Sequence, residues 1–173
     1  MKHTIVFLIS LFWVSLTIAA QTDYRLGAGD RIQIVVYGEA DLSFNELFIT
    51  STGQFEYPYL GRINAINKTT QELTEEITRQ LKGDYLIDPK VMVSILSFRK
   101  IYVNGEVKKP GGYEYQPGLT IDRAIALAGG FTDRAARSKI SIKNNASNRD
   151  TLKAKLTHQV QPGDIITIDE SFF

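Results

Sequence analysis

The sequence of 173 residues contains no cysteine, and it has only two histidines. The absence of cysteine excludes disulfides, thiolate nucleophiles and sulfur-ligated metal sites. It also excludes the acylated cysteine that begins a mature bacterial lipoprotein. Stability must therefore come from burial of apolar side chains, and a chain of this length can bury one core, or two small ones, without covalent cross-links.

The sequence also has no short motif that is typical of a catalytic site. His3 lies in an N-terminal segment that we expect to be removed, and His158 in a polar stretch is typical of a solvent-facing side chain. No serine lies in a nucleophile-elbow pattern, and no phosphate-binding loop of the Gly-x-x-x-x-Gly-Lys type occurs. We therefore expect no catalytic residue, no metal and no cofactor. A glycan-modifying enzyme stays open as a hypothesis, because two carboxylates can act without a short motif.

The chain has no excess of charge, with 20 Lys and Arg against 19 Asp and Glu. Loss of residues 1–20 would remove Lys2 and leave equal numbers. A nucleic-acid partner therefore has no electrostatic support. The basic pairs, such as Arg99-Lys100, are predicted to be solvated strand ends and turns.

The first twenty residues have the order of a secretory signal peptide: a basic start at Lys2, an apolar run over 5–14, and small residues at Ala19 and Ala20. The apolar stretch is shorter than the ~20 residues needed to cross a bilayer, so a cleaved signal is favoured over a retained anchor. We predict cleavage after Ala20, with cleavage after Ala19 as the alternative.

Apolar residues at every second position predict short strands, at 31–37, 47–50, 53–57, 91–95, 99–104, 113–115, 139–142 and 165–168. One helix is predicted over about 70–82, where Thr69 and Glu72 match a capping box and Gly83 follows. A second is predicted over 121–128, capped by Thr120 and ended by Gly129 and Gly130. A polar loop is predicted at 144–150.

An internal echo links the two ends of the chain. Gly29-Asp30 and Gly163-Asp164 each precede an alternating strand. Glycine can form a tight, left-handed turn, and the aspartate can accept backbone amides at the strand entrance. We therefore predict structural roles for both aspartates.

Several segments resemble the polysaccharide biosynthesis and export family, namely 24–30, 37–39, 41–43, 58–61 and 88–91. Segments 103–111 and 126–130 then resemble a soluble-ligand-binding β-grasp domain. After the signal peptide predicted at 1–20, the resemblance implies an α+β fold with an export domain of mixed strands and one helix at 21–98, and a β-grasp domain at 99–173. The residues that carry the motifs are Gly29, Asp30, Pro58, Gly61, Asp88, Pro89, Gly105, Pro110, Gly111, Gly129, Gly130, Gly163 and Asp164.

The resemblance implies a subunit of a ring-shaped homo-oligomer around the path of a capsular polysaccharide or exopolysaccharide. It would lie in the periplasm, associated with the outer membrane of a Gram-negative bacterium, next to an inner-membrane copolymerase. Larger members of the family have further β-grasp domains and a C-terminal amphipathic helix. Because this sequence ends directly after its last predicted strand, we expect a separate outer-membrane component.

Four tyrosines on or beside the short strands are candidates for glycan contact: Tyr57, Tyr59, Tyr113 and Tyr115. An aromatic face can pack against the apolar face of a sugar, but alternating tyrosines usually pack half-buried against a sheet, and we favour that interpretation. Besides the export subunit, a monomeric periplasmic β-grasp module that binds a soluble glycan or other ligand remains as the alternative function.

Overall fold

The computed structural model describes residues 24–144, 149–151 and 153–171. The predicted signal peptide with its cleavage point at Ala20 lies outside these residues, as do positions 145–148 of the predicted polar loop. In the described part, helices and strands occur together, which confirms the α+β class. Buried apolar side chains form two separate cores there, one within residues 26–93 and one within residues 101–168.

The first unit surrounds a three-stranded antiparallel sheet. Its elements are β1 (Arg31–Val36), a short 3-10 turn (Ala40–Leu42), β2 (Phe44–Phe48), β3 (Gln54–Tyr57), β4 (Gly61–Asn64), α1 (Thr70–Leu81) and β5 (Val91–Ser97). The sheet order is β2-β1-β5, while β3 and β4 form a separate hairpin.

Helix α1 covers one face of this sheet. The inward residues of β1 share a core with Leu73, Ile77 and Leu81, which recur every four positions along the helix. The predicted capping box is confirmed, because the Thr69 hydroxyl accepts the Glu72 amide at 3.0 Å and the Glu72 carboxylate accepts the Thr69 amide at 2.9 Å. The backbone hydrogen bond and the Arg25 side chain hold the pKa of Glu72 below its ordinary value.

The second unit is a five-stranded mixed sheet with one helix. Its elements are β6 (Ile101–Gly105), β7 (Gly111–Tyr113), α2 (Ile121–Leu127), β8 (Ala135–Asn144), β9 (Arg149–Thr151) and β10 (Ile165–Glu170). The order is β7-β6-β10-β8-β9, with β6 and β10 parallel and the other pairs antiparallel. The predicted stripe of α2, made by Ile121, Ile125 and Ala128, is buried in this core.

The structure departs from the predicted elements at several places. Strands β4 and β9 were not predicted, and β8 is much longer than the segment 139–142. The predicted cap of α2 by the Thr120 side chain is wrong, although Thr120 is the N-cap residue by its backbone. Its hydroxyl donates to the Asp122 carboxylate, which lowers the pKa of Asp122, and it accepts no amide of the helix.

Gly129 and Gly130 follow α2 with φ values of 81° and 87°, in the left-handed region. The Gly130 amide donates to the Ile125 carbonyl at 2.9 Å and closes the helix end. We expect Gly129→Val and Gly130→Val each to lower the free energy of unfolding by more than ~1 kcal/mol, because a β-branched residue is strained in this conformation. Urea denaturation followed by circular dichroism measures the change.

The matched control is Ala126→Val, since Ala126 is exposed inside the same helix. There the loss should stay below about 0.7 kcal/mol, the scale of helix propensity alone. Unchanged stability for valine at both glycines would contradict the role given to the helix end.

Candidate functional site at the junction of the two cores

The two Gly-Asp segments fold into the same turn. The Asp30 carboxylate accepts the Gly27 amide at 2.8 Å, and the Asp164 carboxylate accepts the Gln161 amide at 2.7 Å, so the acceptor lies three residues after the donor in both cases. Both aspartates are fully buried. The echo in the sequence therefore corresponds to a repeated structural device, one copy in each core.

Arg99, in the linker between β5 and β6, joins the two turns. Its backbone amide donates to Oδ1 of Asp30 at 2.7 Å, and its Nη1 donates to Oδ2 of Asp30 at 3.2 Å. On the opposite side, its Nε donates to the Pro162 carbonyl at 3.1 Å. One side chain thus binds a carboxylate of the first unit and a backbone carbonyl of the second. We call Asp30, Arg99, Tyr24 and Pro162 the junction network.

Glycines make room for the Arg99 side chain. A Cβ atom on Gly27 would lie 2.1 Å from Nη1 of Arg99, and one on Gly163 would lie 3.0 Å from its Nε. On Gly29 a Cβ would lie 3.0 Å from the Cβ of Arg99. The glycines beside the two aspartates therefore shape a slot for the arginine, in addition to making the turns.

The polar groups of the junction network form hydrogen bonds with one another. Tyr24 donates its phenol proton to Oδ2 of Asp30 at 2.6 Å and accepts from Nη1 of Arg99 at 2.9 Å. Burial, followed by the bond to Asp30, raises the pKa of Tyr24 well above its ordinary value, so the phenol stays a donor at neutral pH. In the second turn, Asn144 donates to Asp164 at 2.7 Å and to the Pro162 carbonyl at 3.2 Å.

The junction network has the chemistry of a structural contact. The oxygens of the Asp30 and Asp164 carboxylates accept hydrogen bonds from nearby donors, and both side chains are buried, so neither is an exposed base. Within residues 24–144, 149–151 and 153–171 no cluster of His, Asp or Glu has a geometry that could hold a metal ion. The arrangement can fix how the two units are held together.

An open cleft of about 810 Å³ lies beside Arg99, between the two units. We call it the junction cleft. The linker 98–100 lines it, together with residues of both units. The remaining lining residues are Ala28, Gly29, Arg31, Phe48, Leu96 and Ser97 of the first unit, and Tyr102, Glu114, Tyr115 and Gly163 of the second.

The four tyrosines proposed as candidates for glycan contact lie in different environments. Tyr57 is only 2% exposed, and its hydroxyl donates to the Leu42 carbonyl at 2.7 Å. Burial raises the pKa of Tyr57 to about 12. As a correction, Tyr57 is a core residue whose ring is not available to a sugar. Tyr113 is half-buried, and its hydroxyl donates to the Lys109 carbonyl.

Tyr59 and Tyr115 present their rings in different places. Tyr59 is 70% exposed on the turn between β3 and β4, and its ring stacks on Tyr85 with centroids 5.3 Å apart. Tyr115 packs edge-on against Phe98 at 5.3 Å and lines the junction cleft. Of the four candidates, the structure brings Tyr115 alone into that cleft.

The other predicted motif residues lie on turns and strand ends. Pro58 and Gly61 border the hairpin turn, and Asp88, next to Pro89, pairs with Lys90 at 2.9 Å on the surface. Gly105 and Gly111 end β6 and begin β7, with Pro110 between them.

Arg99 carries no sequence motif that marks it as a site residue. The prediction that it is a solvated strand end is wrong, because its side chain is 18% exposed and holds the junction network. The related signal in the sequence is the pair of Gly-Asp segments. They predict the two turns, but they do not indicate that Arg99 joins them.

The sequence comparisons agree with this division of the molecule. Residues 18–96 match the model of the polysaccharide biosynthesis/export protein family, and residues 100–149 match the SLBB domain. The chain therefore contains an export domain of the polysaccharide biosynthesis/export family, followed by an SLBB domain.

Curated relatives carry names of the same kind. The chain is 31% identical over 156 residues to the exopolysaccharide production protein ExoF of Rhizobium meliloti (strain 1021), covering 81% of this chain and 37% of the relative. It is 28% identical over 186 residues to the EPS I polysaccharide export outer membrane protein EpsA of Ralstonia solanacearum, covering 88% and 49%. The polysialic acid transport protein KpsD of Escherichia coli is 27% identical over 137 residues, covering 77% and 24%.

The chain thus spans between about a quarter and a half of the length of these relatives. The role of the family is transport. In the part of the chain that the structure describes, neither helix has the length and apolar content needed to cross a membrane.

Proposed function

We propose that this protein is a periplasmic, non-enzymatic subunit of a capsular or exopolysaccharide export complex. Several copies form a ring or collar around the path of the polysaccharide. The names of the relatives, the order of the two family domains and the signal-like N-terminus support this role.

The observation that carries the proposal is the junction network. A collar repeats one shape around an axis, so each subunit must hold its parts at a constant angle. Arg99 ties the export unit to the SLBB unit through hydrogen bonds that are largely shielded from water. Such charge-assisted bonds are stronger than neutral ones, which suits a rigid two-part subunit. We place the domain division at 98/99, so that the second domain begins with the residue that holds the first.

An exposed apolar surface supports self-association. Met92 of β5 is 41% exposed, and its sulfur lies 3.9 Å from the hydroxyl of Tyr37, which directly follows β1 and is 61% exposed. Exposed apolar patches often mark a protein interface. We assign the patch formed by Tyr37 and Met92 to the contact between neighbouring copies. An inner-membrane copolymerase and a separate outer-membrane component are the further partners of the proposed complex.

One experiment tests assembly and export together. We expect the purified protein to form a defined oligomer in light scattering, and deletion of its gene to abolish polysaccharide release from the cell. Met92→Asp should reduce the oligomer to smaller species, because a charge cannot be buried cheaply in an apolar contact. The same variant should fail to restore export.

The matched control is Ser51→Asp, an exposed turn position in the same unit. It should assemble and export normally. The proposal would be overturned if the folded wild-type protein remained monomeric at every concentration and the deletion strain still exported the polysaccharide. A monomer with measurable glycan affinity would favour the alternative, a periplasmic ligand-binding module.

A further inference from the structure

We infer that the junction cleft is a binding site for a short stretch of a saccharide chain whose polar groups are mainly hydroxyls. The inference rests on the proposed function and names the place at which this chain contacts the polysaccharide. Three properties of the cleft carry it: its shape, its aromatic surfaces and its balance of charge.

The cleft has the size and construction of a ligand site. Its volume of about 810 Å³ falls within the usual range of ligand pockets, about 300–1,000 Å³. Both units and the linker between them contribute lining residues, and the junction network holds that linker in place. The network therefore fixes the width of the cleft before a ligand arrives, and preorganisation of this kind reduces the entropic cost of binding.

Exposed aromatic rings from both units line the cleft. Phe48 of the first unit is 52% exposed, and Tyr102 of the second is 48% exposed. The Tyr102 ring lies close to Gly112, where a Cβ atom would be only 3.1 Å from its Cε1. A sugar ring has an apolar face of C–H groups that carry partial positive charge, and the face of an aromatic ring is negative, so the two surfaces attract each other.

The charges of the cleft balance. Arg31 is paired with Glu46, and Arg99 is paired with Asp30 at 3.2 Å. Among the described residues this leaves Lys100 and Glu114 as lining charges without an ion pair, one of each sign. A cleft without net charge gives no long-range attraction to a polyanion. Donors and acceptors mixed with aromatic faces suit hydroxyl groups, which both donate and accept hydrogen bonds.

The test uses oligosaccharides made by partial hydrolysis of the exported polymer, with maltotetraose and an oligogalacturonate as comparison probes. Amide chemical shifts of the ¹⁵N-labelled protein should move at Phe48, at residues 98–102 and at Tyr115. Affinity should hardly change when the salt concentration is raised. Tyr102→Ala should weaken binding at least about tenfold, whereas Tyr102→Phe should bind as the wild type does, since the ring face makes the contact.

Tyr85→Ala is the matched control, because Tyr85 is 47% exposed, against 48% for Tyr102, and lies outside both the cleft and the proposed contact between copies. It should leave saccharide affinity unchanged. The inference fails if no probe binds, if the shifts cluster around Tyr59 and Tyr85, or if the oligogalacturonate alone binds and is released by salt. It also fails if Tyr102→Ala changes the oligomeric state but not saccharide affinity, since the cleft would then hold a second copy. Gene deletion that abolishes export would still support the proposed function in each of these cases.

Discussion

Replacement of Arg99 by methionine is expected to lower the free energy of unfolding by about 3 kcal/mol or more, the usual cost of removing one partner from a buried ion pair. The loss follows from Asp30, which is fully buried and would no longer have the guanidinium as a partner. The Tyr24 hydroxyl and the Pro162 carbonyl would lose the same donor. Methionine retains much of the apolar stem, so the experiment isolates the polar contacts. Urea denaturation at neutral pH measures the difference.

Arg31→Met is the matched control for this variant. Arg31 also pairs with an acid, Glu46, but its side chain is 51% exposed, against 18% for Arg99. Exposed ion pairs contribute ~0–1 kcal/mol, so a small loss is expected there. Nearly equal losses for the two variants would show that the junction network does not stabilise the protein. The double variant Arg99→Met/Asp30→Leu should lose less stability than the sum of the losses of the two single variants, because the two side chains interact directly.

Gly105→Ala is expected to be the most damaging single-atom change in the SLBB unit. Gly105 ends β6 beside β10 and has a φ of 82°. A Cβ atom there would lie 2.0 Å from the Ile168 carbonyl oxygen, which also accepts the Glu106 amide at 3.0 Å. Overpacking costs about 1–3 kcal/mol and the left-handed conformation about 1–2 kcal/mol, so we expect a loss of about 3 kcal/mol.

Gly118→Ala separates the two causes. Gly118 has nearly the same φ, 80°, and a Cβ atom added to it would meet nothing within 4 Å. Its loss should be about 1–2 kcal/mol, from conformation alone. Thermal unfolding of both variants measures the difference between them. If both lose the same stability, the close approach of β10 to Gly105 is not the cause.

Local patterns were enough to predict much of the fold. The capping box of α1 involves residues three apart, and its buried stripe repeats every four residues, so the sequence contains the whole signal. The same holds for the alternation in β1 and β10. The order of the motifs likewise led to the family, because each motif is a short continuous segment.

Local patterns could not decide the environment of individual tyrosines. Tyr57 and Tyr59 are two residues apart, yet one is buried and the other is 70% exposed. Alternation would place both on one face, but β3 ends at Tyr57 and the chain turns at once. Strand β4 was not predicted for a related reason. Its first residue, Gly61, also belongs to the turn that precedes it.

The sequence by itself determined most of the turns, the helix ends and the family. Only the tertiary structure decided that the apolar residues form two cores, that Arg99 connects them and that a cleft opens beside it. Arg99 lies 69 positions from Asp30 and 63 from Pro162, and nothing in the residues around it specifies either partner. Those partners come together because the β1–β5 pairing and the parallel β6–β10 pairing bring the two glycine-aspartate turns to the same linker. The site therefore depends on how the strands pair over long distances in the chain, which a local pattern does not contain.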